Sequence, residues 1–172
     1  MRIIIITYIY MTGIIGIGNL ILKDEGLGVH FIDLLRKKYI FNGDIRLIDG
    51  STLGYGLLDD IFCLDDIIVV DAVKTDEKPG SIFKFDAENL PVNLMKKTAH
   101  DVEFIDVITM CGLQGHNPKI TFFAISPEDC TGVGTDISEP LKKAMPALEK
   151  LVLEEIKPLG INWYINPEYA EL

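Results

Sequence analysis

Cysteine is scarce and unpaired in this sequence: Cys63, Cys111 and Cys130 are the only three, and none forms a C-x-x-C pair with another. That excludes a disulfide framework and a thiolate zinc site, and it suits a reducing cytoplasm. Each cysteine is expected as a small buried side chain, and Cys63 stands among apolar neighbours in Ile61-Phe62-Cys63-Leu64. Basic charge is short too. With 16 Lys and Arg against 26 Asp and Glu, the net charge is −10, which opposes a phosphate backbone or an anionic membrane surface and excludes nucleic acid as a partner. No repeat, low-complexity tract or linker divides the chain, so its 172 residues read as one domain large enough to bury a continuous core. Charge is missing altogether from Ile3 to Leu22, about the length that spans a bilayer. Gly13, Gly16, Gly18 and Asn19 interrupt that run, and its isoleucine-rich composition favours a strand, so membrane insertion is not expected.

What is present is an alternation of strand-length apolar runs with longer amphipathic segments. It predicts an α/β fold: a single three-layer αβα domain with a mostly parallel twisted sheet and helices on both faces. The expected organisation is an atypical N-terminal extension over 1–12, a domain over 13–157 and a loosely ordered tail over 158–172. The extension reads as added strand, a disordered leader or a misassigned start, with Met11 an alternative beginning. Strands are expected at Ile14–Gly18, Ile45–Asp49, Ile67–Val73, Ser81–Phe85 and Ile120–Ile125. The first helix follows from Val29, Ile32, Leu35 and Tyr39 at three- and four-residue spacing, with Arg36, Lys37 and Lys38 favourably near its C-terminus and Asn42-Gly43 stopping it. A short helix is read over Leu57–Cys63. Thr98 and Asp101 are expected to cap a helix over Val102–Cys111, whose apolar face is Val102, Ile105, Ile108 and Met110. Ser138 is the expected cap of a last helix with Pro140 in its first turn.

The first strand breaks into Gly16-Ile17-Gly18-Asn19-Leu20-Ile21-Leu22-Lys23-Asp24-Glu25-Gly26-Leu27-Gly28. A loop that cradles phosphate wants bare amides and usually a basic residue, whereas Asp24 and Glu25 bring negative charge to that place. The dinucleotide spacing G-x-G-x-x-G fails as well, because it requires glycine at Ile21, and Asp49 comes late for a ribose acid. A nucleotide-binding α/β module is therefore the weaker reading. Acidic oxygens at a glycine-lined strand end suit a cation instead. Asp71, closing the apolar run Ile67–Val70, and His100, at a later helix start, fall at what should be the same edge of the sheet. Glu25, Asp71 and His100 form a mixed oxygen and nitrogen set suited to zinc, nickel or ferrous iron, with positions open for a substrate. Gly50, Ser51 and Thr52, beside Asp49, either line a substrate cleft or make a plain tight turn. The glycines of the first loop read as bends that leave room for a peptide. His30, His116 and the pair Asp65-Asp66 read as surface residues.

These motifs in this order, Gly16-x-Gly18-Asn19 with Asp24-Glu25-Gly26-x-Gly28, then Asp49-Gly50-Ser51-Thr52, Val70-Asp71-Ala72, Thr98-Ala99-His100 and Ser138-Glu139-Pro140, closely resemble the nickel-iron hydrogenase maturation endopeptidases. The resemblance runs from about Gly13 to Ile156; the extension before Gly13 departs from it. It implies an endopeptidase that removes a C-terminal extension from the large-subunit precursor of a nickel-iron hydrogenase after nickel insertion. It also implies that Glu25, Asp71 and His100 contact a nickel ion that arrives with the substrate, held by the substrate's cysteine thiolates, although other divalent ions could fill the site. The ion would position the scissile peptide, and could also polarise its carbonyl or acidify a water. Asp24 or one of the metal-facing carboxylates is the candidate general base. A protein that kept the ligands but lost proteolysis, acting as a maturation checkpoint, is the other alternative.

Overall fold

The structure is a computed structural model that describes residues 10–86 and 99–170, giving only the backbone of residues 99–103. Five strands form the main sheet in the order β3-β1-β4-β6-β5. They are β1 (Thr12–Ile17), β3 (Ile45–Ser51), β4 (Asp66–Ala72), β5 (Ile82–Asp86) and β6 (Lys119–Ile125). All pairs are parallel except β5 with β6, so the sheet is mixed only at its edge. β1 and β4 are its centre and are buried along almost their whole length, which is why they read as near-continuous Ile and Val runs rather than as alternating ones.

Period-two geometry divides those runs between two cores. Ile14, Ile68, Val70 and Phe123 face α1 (Leu27–Lys38) and α4 (Glu139–Ile156), where Phe31, Ile32, Leu35, Leu148, Val152 and Ile156 are buried. Ile15, Ile17, Ile67 and Val69 face the other way, toward α2 (Leu58–Ile61) and α3 (Ala99–Leu113). Burying each large apolar side chain contributes about 2 kcal/mol, so the two cores hold the layers together, and the three cysteines are free. From β1 the chain crosses through α1 to β3 on one side and returns through α2 to β4 on the other. The crevice where the connections diverge therefore opens at the carboxyl ends of β1 and β4.

Several expectations are corrected. The first helix stops at Lys38, and Tyr39–Asn42 is a strand, β2. Asn42-Gly43 is instead the turn into β3, with Gly43 at φ +132. Part of the supposed loose tail, Asn162–Ile165, is β7, which pairs antiparallel with β2 from Tyr39↔Ile165 to Asn42↔Asn162; a short helix α5 (Pro167–Ala170) follows. Cys63 is exposed rather than buried. Asp65-Asp66 is no solvated turn: Asp66 is buried and accepts from the Tyr10 hydroxyl, while Asp65 Oδ2 accepts from Met11 N at 2.8 Å. α3 already begins at Ala99, so Asp101 lies within it; its buried stripe is Phe104, Val107 and Cys111, and Met110 is exposed. Thr98 and most of the N-terminal extension lie outside the described residues.

Candidate active site at the carboxyl edge

The switch crevice between β1 and β4 is flanked by two of the predicted residues. Glu25 sits in a 3-10 turn, Lys23–Gly26, that links the end of β1 to α1, and Asp71 is the next-to-last residue of β4. Both are half-buried. Asp71 Oδ1 accepts from Ala72 N at 2.7 Å, and Asp71 follows Ile67 and Val69 on the α3 side of the sheet by strand alternation. α3 must run down to feed β6, so its first turn, which contains His100, starts at the same carboxyl edge. The side chain of His100 is outside the described residues. Among the described residues, no three His, Cys, Asp or Glu side chains are grouped to hold a metal ion.

Glycine lets the first loop lie flat against the sheet. A Cβ at Gly28 would stand 2.3 Å from the Ile17 carbonyl oxygen and 2.4 Å from that of Val70, so the start of α1 touches the backbone of both central strands. Gly18, at φ +136, would put a Cβ 1.7 Å from the Glu25 carbonyl oxygen. These glycines therefore seat the chain on itself; at Gly18 and Gly28 they do not leave room for a peptide.

Asp24, named above as a candidate base, sits as a structural anchor. It is fully buried, and its carboxylate accepts four hydrogen bonds from the loop between β6 and α4. Oδ2 takes Glu128 N at 2.8 Å, Asp129 N at 3.0 Å and Ser138 Oγ at 2.8 Å, and Oδ1 takes Ser138 N at 2.6 Å. A carboxylate so enclosed has no path to a substrate proton. Ser138 does occupy the N-cap position of α4, but its hydroxyl donates to Asp24 and makes no cap bond to the helix.

The same two loops are joined along their backbones. Lys23 N donates to Gly134 O, Gly134 N to Ile21 O, and Asp24 N to Asp129 O. Lys23, at φ +50, extends Nζ to Asp129 Oδ2 at 2.5 Å, and His30 Nε2 meets Thr135 O at 2.8 Å. Lys23 and Ser51 are the non-glycine residues at positive φ among those described, and both flank the crevice, where backbone strain tends to be kept. The Lys23 ammonium first, then the Thr131 and Gly132 amides, hold the Asp129 carboxyl well below the usual range. Ser51 continues from Asp49, whose Oδ1 accepts from Ser51 N at 3.0 Å and Ser51 Oγ at 2.7 Å; Gly50 is buried between them and Thr52 is exposed.

Cys130 is the neighbour that sequence reasoning missed. Burial, then the fields of Glu25, Asp24, Asp71 and Asp129, push its thiol up to about 12. The shared field places Cys130 in the neighbourhood of both predicted acids. A thiol held protonated at neutral pH is a poor nucleophile, which argues against cysteine-protease chemistry. The signal that could have found this loop is the polar stretch Ser126-Pro127-Glu128-Asp129-Cys130-Thr131-Gly132, following a buried parallel strand at the functional edge. The other two histidines have structural partners: His116 Nε2 lies 3.0 Å from Ile61 O and 2.8 Å from Leu64 O, and is half-buried rather than on the surface.

Fold and edge chemistry together define an α/β protein with acidic groups at the switch point. A family model described as hydrogenase maturation protease (HycI) matches residues 29–155. The hydrogenase expression/formation protein HoxM of Azotobacter vinelandii is 30% identical over 151 residues, covering 86% of this chain and 73% of that protein. The hydrogenase 2 maturation protease of Escherichia coli is 30% identical over 155 residues, 87% of this chain and 92% of that one. Among solved structures, the hydrogenase maturating endopeptidase HybD from E. coli superposes with a TM-score of 0.85 at 25% identity, covering 92% of this chain and 99% of that one. The chain belongs to the hydrogenase maturation protease family and is an endopeptidase.

Proposed function

We propose that this enzyme removes the C-terminal extension of a nickel-iron hydrogenase large-subunit precursor in the cytoplasm, and that it does so once nickel is in place. The observation that carries this reading is the position of Glu25, in the turn between β1 and α1, and of Asp71, near the end of β4, at the carboxyl edge where the switch crevice opens. Half-buried carboxylates there can add oxygen ligands to a nickel ion that enters with the substrate, and His100, at the start of α3, is the third contact. Recognition of the ion fixes the scissile peptide in the crevice, a gain in positioning that a metal-free precursor cannot match. The end of β3 with Gly50 and Ser51, and the exposed Thr52 that follows, form the side of the cleft. With Asp24 enclosed, the general base falls to Glu25 or Asp71. No helix among the described residues is long and apolar enough to cross a membrane, and the charge-free run near the N-terminus contains the strand β1.

The test is incubation with nickel-loaded and nickel-free precursor. Only the loaded form should shorten, and Glu25→Gln, Asp71→Asn and His100→Ala should each slow cleavage by about a hundredfold or more while the proteins stay folded by circular dichroism. Equal cleavage of both precursor forms, or undiminished rates in these variants, overturns the metal-gated mechanism.

A further inference from the structure

We infer that Asp24 is the positioning residue for Glu25: it clasps the loop that carries this ligand to the β6–α4 loop, so that the active-site geometry depends on a buried carboxylate that never touches substrate. The inference rests on the proposed role of Glu25 in the cleavage reaction.

The argument begins with what the loop lacks. Between Ile17, which is anchored in one core, and Leu27, anchored in the other, no hydrophobic side chain is buried; Leu20 and Ile21 are 37% and 59% exposed. The facing loop has the same poverty from Pro127 to Asp136, with Val133 83% exposed. Apolar packing therefore cannot fix where Glu25 sits. Polar contacts must do it, and Asp24, its direct neighbour in the chain, supplies the largest share. Its carboxylate gathers donors from Glu128, Asp129 and Ser138, residues spread across the whole facing loop up to the first turn of α4. Around it, the backbone bonds of Ile21, Lys23 and Asp24 to Gly134 and Asp129 complete a short two-sided ladder. Glu25 N donates to Leu22 O at 3.2 Å, so the residue after the ladder inherits its placement. A buried ionised acceptor holding several donors is a high-stakes network: intact it rigidifies, and with one charge removed it leaves donors unmatched.

Asp24→Asn keeps the side-chain shape, removes the charge and turns one acceptor toward its donors as a donor. Hydrogen exchange should show the amides of Glu128, Asp129 and Ser138 opening at least about tenfold faster, while those of β4 and β6 keep their protection. Cleavage of nickel-loaded precursor should fall about ten- to hundredfold in kcat/KM, the range typical when support behind a ligand is lost, with its pH profile unchanged in shape. Ser138→Ala, which deletes a single donor, should move both readouts in the same direction by less. Lost activity with the loop amides still protected, or loss of the acid limb of the pH profile, would show Asp24 acting on the substrate itself and overturn the inference. Exchange accelerated equally through β4 and β6, with activity per folded molecule intact, would reduce Asp24 to general stability and overturn it too. Wild-type protein with a protected loop that cleaves no precursor would sink the proposed function instead, leaving the clasp judged by exchange.

Discussion

Two neighbouring loops at the carboxyl edge are built in opposite ways. The β1–α1 loop is tied to a remote segment through backbone ladders, an ion pair and the four bonds to Asp24. The β3–α2 loop is stitched mainly to itself: Asp49 to Ser51, Leu53 N to Gly50 O and Gly56 N to Leu53 O, with Gly18 N to Ser51 O as its link to the first loop. It leaves Leu53 and Tyr55 55% and 52% exposed. The contrast teaches a division of labour. A loop that presents a ligand must be held within a fraction of an ångström of its working position, whereas a loop that borders a peptide cleft can keep surface available for contact.

The sharpest way to break this comparison is to remove one aspartate from each loop. Asp24→Ala strips the partner from three amides and a hydroxyl in a fully buried place, and should cost about 4 kcal/mol in urea unfolding. Asp49→Ala loses two local bonds to Ser51 on a half-buried side chain and should cost about 1 kcal/mol. Equal costs would mean that the first loop is not specially anchored.

Glycine substitutions sharpen the same contrast with a smaller expected effect. Alanine at Gly28 meets backbone atoms of Ile17 and Val70 at 2.3–2.6 Å, and neither central strand can retreat. Gly28→Ala should therefore cost about 3 kcal/mol. Gly56→Ala in the other loop meets nothing nearer than Leu53 Cβ at 3.4 Å and should stay within about 0.5 kcal/mol of the parent. Thermal or urea midpoints compare the two directly.

Much of this was legible in the sequence, for reasons that also explain the failures. β1, β4 and β6 announce themselves because strands buried on both faces carry largely uncharged, mostly apolar runs, and the order of those runs places Glu25 and Asp71 at one edge. β2 and β7 were missed because each is four residues long and gains its structure only by pairing with the other across most of the chain. α3 is apolar nearly all round, so spacing could not choose between the stripe at Val102, Ile105 and Ile108 and the buried one at Phe104, Val107 and Cys111. The bonding of Asp24 and Ser138 escaped the sequence for one shared reason, although Ser138 does stand at the expected N-cap position. A short polar side chain near a helix start usually bonds locally, and no local pattern reveals that these two bond to each other at a separation of 114 residues.

The smallest expected effect concerns the Lys23–Asp129 pair at the clasp's outer margin, where both side chains are more than a third exposed to solvent. Asp129 is held below its ordinary value chiefly by Lys23, and Lys23 is raised above its own chiefly by Asp129. A depressed carboxylate stabilises the fold fully above its unfolded value of about 4 and loses that contribution as pH falls toward its folded one. A raised ammonium contributes fully below its unfolded value of about 10 and loses it as pH rises through the folded one. The contribution of the pair should thus be flat between about pH 5 and pH 9, shrinking below pH 4 and with added salt. Lys23→Met preserves the stem, and its urea midpoint should fall slightly below the parent's by the same amount at pH 5.5 and 8.5, with the gap narrowing at pH 3. A gap that instead varies across the neutral range would mean that some other titrating group, and not this pair, sets the closure of the outer clasp.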